Sequence, residues 1–211
     1  MVGRIALRSS PTFNADVVFE RARGDLTVTD EIGVQVLGLT DLRLGLDVKD
    51  GTWSFTQALA GNPVGVAAGA VVARTSPQAM WPPADTPISG VLEVQVANLG
   101  TWGNWVPAGW RLNGALRTSA SIGGRFGAPE YTGEIRGSGL SVRNFLQGVN
   151  VSDGDVLIAL QGATARIERF TAKAGTGTLR LEGNAVLGDK PTAQLKQIGR
   201  ASCRERVSPY V

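Results

Sequence analysis

The sequence has no histidine, and Cys203 is its only cysteine. Zinc sites built from Cys and His need several such ligands, and a Ser-His-Asp triad needs its imidazole, so this inventory excludes both classes of site. Cys203 lies in a terminal segment that we interpret as foreign to the protein, which removes a cysteine nucleophile as well. We therefore expect a non-enzymatic protein with no metal and no cofactor.

Long apolar runs are also missing. The longest apolar stretch, Val64 to Ala73, is interrupted by Gly65 and Gly69 and is too short to cross a bilayer as a helix. No signal peptide or membrane anchor is visible, so for an exported protein we expect the export signal on a part of the parent chain outside this sequence. Hydrophobic residues make up 43% and charged residues 18%, which indicates a folded chain.

Residues 198–211 depart from every pattern that precedes them. Residues 198–207 can be back-translated as ATC GGA AGA GCG TCG TGT AGG GAA AGA GTG, which resembles a widely used sequencing adapter read in frame. We interpret this tail as a translated adapter and not as native protein. Without it the chain loses three arginines and one glutamate, so the net charge falls from +3 to +1. We therefore expect no nucleic-acid partner.

Alternation of apolar and polar residues with a period of two is the main structural signal in the chain. In residues 41–51 it ends at Asp50-Gly51, a pair favoured in tight hairpin turns because both residues tolerate a positive φ. Successive side chains of a strand point to opposite faces, so each such strand has one apolar face. The apolar positions in the three clearest strands are Leu42, Leu44, Leu46, Val48, Leu92, Val94, Val96, Leu179 and Leu181.

Short strands of this kind recur about every 10 to 20 residues and end at Gly, Asn-Gly, Asp-Gly or Pro. The pattern predicts an all-β meander or solenoid-like stack with few or no helices, the one helical candidate being Phe55–Ala60. Asp153-Gly154 is expected to open a strand that Gly162 closes. The proline-rich residues 78–87 are expected to form a loop. We expect one β segment over residues 1–87, a second over 88–197, and the foreign tail over 198–211.

Several groups of residues that could carry chemistry are better explained by structure. The acid pairs Asp47/Asp50 and Asp153/Asp155 belong to a polar strand face or to Asp-Gly turns. The glycine pairs at 123–124 and 175–177 are not followed by a helix, so they are expected to be turns and not phosphate-binding loops. Trp102, Trp105 and Trp110 could form a platform for sugars, but we favour large core residues.

The apolar strand face is the feature that favours a functional interpretation. A second sheet could cover it and give a sandwich, or it could stay open as a groove for an apolar ligand. The nine residues named above are the candidate groove-lining residues. The sequence does not indicate which face of the sheet would lie inside.

Four segments, read in order, resemble one family. They are Pro107 to Gly114, Gly124 to Gly133, Leu140 to Val149 and Gly177 to Gly183. Together they resemble the TamB family, the translocation and assembly module subunits of Gram-negative proteobacteria. The resemblance covers Ile88 to Leu195, about half of the chain.

The resemblance implies an internal fragment of a longer, AsmA-like protein that is anchored in the inner membrane and crosses the periplasm. It implies a curved, extended sheet, a half-pipe called a β-taco, with an apolar interior. The family is linked to phospholipid transport towards the outer membrane and to assembly and secretion of outer-membrane proteins such as autotransporters. The implied partners are phospholipid acyl chains and an Omp85-type barrel, TamA, which other parts of the parent chain would contact.

Two other functions remain open on sequence grounds. The first is a closed β-sandwich or solenoid that acts as an adhesin or carbohydrate-binding module. The second is a glycosidase that uses carboxylates alone. A continuous open trough with exposed Leu and Val favours lipid, whereas a sealed core favours the adhesin.

Overall fold

The computed structural model describes residues 2–8, 11–30, 33–62, 64–105, 107, 109–187 and 191–197. Within these residues almost all regular structure is β, and a short 3-10 helix at Leu99–Trp105 is the one helical element. The strands are β1 (Val2–Arg8), β2 (Asn14–Glu20), β3 (Thr27–Asp30), β4 (Gly33–Val36), β5 (Leu39–Lys49), β6 (Thr52–Gly61), β7 (Gly65–Arg74), β8 (Ile88–Val96), β9 (Trp110–Arg125), β10 (Ala128–Asn144), β11 (Val149–Gly162), β12 (Thr164–Ala174), β13 (Gly177–Val186) and β14 (Thr192–Gln197).

Twelve of these strands form one antiparallel sheet that does not close on itself. Its order is β1-β2-β5-β6-β7-β8-β9-β10-β11-β12-β13-β14, so each strand pairs with its neighbour in sequence except where β3 and β4 intervene. Those two strands pair with each other as a separate hairpin. The expected all-β meander is confirmed, and the described residues contain no second large sheet that could make a sandwich with the first.

The Asp50-Gly51 turn behaves as its sequence predicts. Both residues have positive φ, 49° and 77°, and they join β5 to β6. The loop over residues 78–87 is also present, although the sheet continues past it because β7 pairs with β8 from Val66↔Gln95 to Ala73↔Ile88.

The predicted helix at Phe55–Ala60 is wrong. These residues lie in the middle of β6 and pair with β5 on one side and β7 on the other. Ala58 and Ala60 favour a helix locally, but Trp53, Phe55 and Leu59 lie an even number of residues apart and share one face of the sheet. Two ladders of backbone hydrogen bonds then outweigh the local propensity.

Two predicted glycine turns are also wrong. Asp153-Gly154 does not open a strand, since it lies within β11, where Asp153 has a φ of 50° at a shift in register. The Asp-Gly pair therefore supplies its positive φ to a β-bulge. Gly123 and Gly124 are still paired within β9, which ends at Arg125, and the turn follows at residues 126–127. Residues 175–176, in contrast, do form a turn.

Candidate functional site

The pairing register shows that the nine candidate lining residues all lie on one face of the sheet. Directly paired residues in antiparallel strands share a face. One row of pairs crosses ten strands without a break: Leu42, Leu59, Ala67, Val94, Thr118, Ile135, Ile158, Ile167, Gly183 and Leu195. Leu44, Leu46 and Val48 share this face with Leu42, Leu92 and Val96 share it with Val94, and Leu179 and Leu181 share it with Gly183. We call this surface the apolar face, and its opposite the polar face.

The apolar face is partly screened but not covered. Along β8 and β13 exposure alternates, with the apolar-face residues half-buried and the polar-face residues exposed. The described residues contain no second large sheet that could cover it, so this alternation fits a sheet that curves towards its apolar face. Leu44, near the middle of β5, still exposes 47% of its surface, and near the sheet edges Leu7 exposes 62% and Leu195 63%.

Glycines inside the strands give a physical reason for that curvature. Without a side chain, an inward-facing position lets neighbouring strands approach each other closely on that side. A Cβ on Gly133 would collide with the carbonyl oxygen of Ser119 and lie 2.7 Å from the Cα of Ala120. The glycines of the apolar face include Gly65, Gly69, Gly90, Gly133, Gly137, Gly154 and Gly183.

An aromatic cluster bounds the apolar face at one end of the strands. Trp53, 1% exposed, stacks on Phe13 with ring centroids 5.6 Å apart, and its Nε1–H donates to Thr75 Oγ1 at 2.9 Å. Trp81 comes from the loop between β7 and β8 and packs edge-on against Trp53, Phe55 and Phe126. The loop therefore folds over the apolar face, and we call this group of five rings the aromatic wall.

An aliphatic cluster bounds the apolar face at the other strand end. Leu37, Leu39 and Val64 are buried together, and Leu42, Leu59 and Trp102 pack against them. The indole Nε1–H of Trp102 donates to the carbonyl oxygen of Val64 at 3.2 Å. We call this the aliphatic wall. Along β6 the two walls are separated by the six-residue step from Trp53 to Leu59, about 20 Å of extended chain. We call the strip of the apolar face between them, which runs across the strands, the trough.

The polar face carries exposed ion pairs. Arg4–Asp16 (3.3 Å), Arg136–Glu134 (2.6 Å), Arg166–Glu168 (3.0 Å) and Lys173–Asp153 (2.9 Å) are formed there. The hydrogen bonds from Arg136 lower the pKa of Glu134, and the hydrogen bond to Asp153 raises the pKa of Lys173. Exposed pairs of this kind contribute little to the free energy of unfolding, and their main effect is that this face is polar and solvated.

Residues considered for chemistry occupy structural positions. Asp47 lies on the polar face in a shallow depression of about 260 Å³, beside Arg4, Asp16 and Arg43. Asp50 lies in the turn between β5 and β6. Asp153 lies in the β-bulge of β11 and forms an ion pair with Lys173. No group of His, Cys, Asp and Glu that could hold a metal ion occurs in the described residues.

Of the three tryptophans proposed as core residues, Trp102 packs in the aliphatic wall. Trp110 is half-buried at the start of β9, opposite Asn144. The side chain of Trp105 and the tail 198–211 lie outside the described residues. The aromatic wall was missed from sequence, because nothing in a proline-rich loop shows that Trp81 returns to the sheet. Within the described residues no helix is long and apolar enough for a transmembrane span.

Comparison with protein-family models, curated proteins and solved structures gives no match. The class that the fold itself defines is a β protein built on one open twelve-stranded sheet with one apolar and one polar face. The resemblance to the TamB family stays a prediction.

Proposed function

We propose that this chain is one stretch of a non-enzymatic periplasmic bridge that shelters phospholipid acyl chains on its apolar face. The bridge would belong to an inner-membrane-anchored protein of the TamB type that serves outer-membrane biogenesis. The observation that carries the proposal is one row of paired residues across ten strands, apolar or glycine except for Thr118, on a sheet that is not closed. Support of outer-membrane protein assembly would involve an Omp85-type barrel through other parts of the parent chain.

The shape of the trough fits an acyl chain better than a compact ligand. Apart from Thr118, the row that crosses its floor consists of Leu, Val, Ile, Ala and Gly, and a wall lies at each strand end near β5 and β6. Burying a methylene group is worth about 0.8 kcal/mol, so a long chain gains free energy at every position along such a floor. No single contact holds it strongly, which favours movement along the trough.

The adhesin alternative fits these observations less well. A closed sandwich needs a second large sheet over the apolar face, and the only other sheet of the described residues is the two-stranded β3–β4 hairpin. Leu44 and Leu7 stay in contact with water on that face. A carbohydrate platform would need exposed, parallel aromatic rings, whereas Trp81, the exposed member of the aromatic wall, packs edge-on against its neighbours.

A face-specific photo-crosslinking experiment tests the proposal. A photo-reactive amino acid at Leu92 is expected to crosslink to phospholipid in cells, because Leu92 lies on the apolar face. The same amino acid at Val91 is the matched control, since Val91 is its neighbour in β8, is 61% exposed, and lies on the polar face. Leu44→Asp or Val94→Asp is expected to reduce crosslinking at Leu92 at least tenfold, whereas Val91→Asp leaves it unchanged. Equal lipid labelling from both faces would overturn the proposal.

A further inference from the structure

The turn between β10 and β11, residues 145–148, carries two prominently exposed apolar side chains. Phe145 is 79% and Leu146 is 91% exposed, and both follow directly after the end of β10. Two adjacent large apolar side chains in water are costly at a position where polar residues would serve a turn equally well. Their presence indicates a contact that this turn makes.

The backbone of this turn is held in place by its neighbours. Asn144 is 2% exposed, and its Oδ1 accepts a hydrogen bond from the backbone N–H of Gln147 at 3.0 Å. Gly148 adopts a φ of 67°, which lets the chain reverse into β11. The two apolar side chains are therefore presented outward before any partner arrives, which lowers the entropy cost of binding.

A pair of arginines lies just below the turn. Arg111 of β9 and Arg143 of β10 are directly opposite each other in register, on the polar face, and both are exposed. Like charges in that position repel each other. The ion pairs formed by the described residues involve neither arginine, and the other neighbour of Arg143 in register is the neutral Asn150. Positive charge is thus concentrated beside the apolar turn without a negative counterpart.

We propose that this hairpin end, Phe145 and Leu146 together with Arg111 and Arg143, docks on the surface of a bilayer that contains anionic phospholipid. Phe145 and Leu146 would enter the interface between head groups and acyl chains, and the two guanidinium groups would bind lipid phosphates. A turn of four residues cannot offer the roughly 800 Å² per partner that a stable protein interface buries, whereas a bilayer accepts a narrow apolar wedge. This contact would bring one end of the strands against a membrane leaflet, a role that goes beyond holding lipid in the trough.

Vesicle co-sedimentation of the whole 211-residue chain tests the docking. Binding to phosphatidylcholine/phosphatidylglycerol vesicles is expected to weaken about 30-fold in Arg111→Gln/Arg143→Gln, since each surface arginine contributes about a factor of five. Phe145→Ser/Leu146→Ser is expected to weaken binding at least tenfold. Arg111→Lys/Arg143→Lys keeps the charge and should retain most of the affinity for the vesicles. Circular dichroism of each variant checks that the sheet is intact.

Two control variants match these changes elsewhere on the polar face. Arg74→Gln/Arg125→Gln removes the same charge at the opposite end of the strands, and Val66→Ser/Val91→Ser removes exposed apolar surface; both are expected to bind like the parent.

The proposal is overturned if the two arginine-to-glutamine variants lose affinity equally, if binding needs no anionic lipid, or if soluble inorganic phosphate competes fully. It is also overturned if the serine variant of the turn changes self-association and not vesicle binding. Phospholipid crosslinking at Leu92 should persist in the turn variants, so failure of docking and failure of the trough are distinguishable.

Discussion

At the scale of single residues, Asp25 joins the β3–β4 hairpin to the start of β5. Its carboxylate accepts hydrogen bonds from the backbone N–H groups of Leu26 (2.8 Å), Gly38 (2.7 Å) and Leu39 (3.1 Å). Burial opposes the charge, but these donors and nearby Arg21 together hold the pKa of Asp25 below its ordinary value of 3.8. The charged form is therefore favoured in the folded protein, next to the aliphatic wall.

This lowered pKa predicts an acid-sensitive junction. A carboxyl group whose pKa is lower in the folded state stabilises the fold above its unfolded value, and that stability is lost as the pH falls through the folded value. We expect hydrogen-exchange protection of the Gly38 and Leu39 amides to decrease below about pH 4. Asp25→Asn should lower the protection of the Gly38 amide already at pH 7, because the NH₂ group that replaces Oδ2 cannot accept from Gly38, whereas Oδ1 can still accept from Leu39. Asp85→Asn, in an exposed loop, is the control; equal effects of the two substitutions would contradict the interpretation.

At the scale of elements, the sequence allowed the strands to be recognised but not their relation to one another. Alternation identifies which residues share a face within β5, β8 or β13. Register shifts near residues 137–140 and 152–155 add residues to one strand of a pair. Odd and even residue numbers therefore do not mark the same face of the sheet in every strand. The common apolar face became visible only from the pairing.

Glycines in this chain occupy two kinds of position, at the ends of strands and inside them. The sequence suggests that a glycine ends a strand, and Gly51 and Gly162 fit that interpretation. Gly133 and Gly183 instead lie inside strands, where the adjacent strand backbone leaves no room for a Cβ. That requirement is set by the approach of a neighbouring strand and is not encoded locally.

The close approach of β9 and β10 at Gly133 can be tested by substitution. Gly133→Ala is expected to destabilise the protein by roughly 2 kcal/mol and to lower Tm by about 6 °C, because its Cβ would displace the backbone of Ser119 and Ala120. Gly123→Ala in β9 is the matched control, since a Cβ there meets nothing within 4 Å. Thermal unfolding followed by circular dichroism measures both. A Gly133→Ala protein as stable as Gly123→Ala would show that strand packing does not require glycine at this position.

At the scale of the whole molecule, the all-β fold was predictable from composition and alternation, whereas the trough was predictable only in part. Its floor residues follow from the period-two pattern. Its walls do not, because Trp81 and Val64 reach the apolar face from loops whose course is set by tertiary contacts. The family resemblance proposed from residues 88–195 also remains a prediction, and the trough is the physical feature with which it agrees.

The most direct test of the central claim is mass spectrometry of the lipid bound to the purified 211-residue chain after expression in a Gram-negative host. We predict that diacyl phospholipid co-purifies in near-stoichiometric amount and that Leu44→Asp removes it without loss of the β-sheet circular dichroism signal. A folded chain that carries no phospholipid, even after incubation with it, would contradict the assignment of the apolar face as a lipid trough.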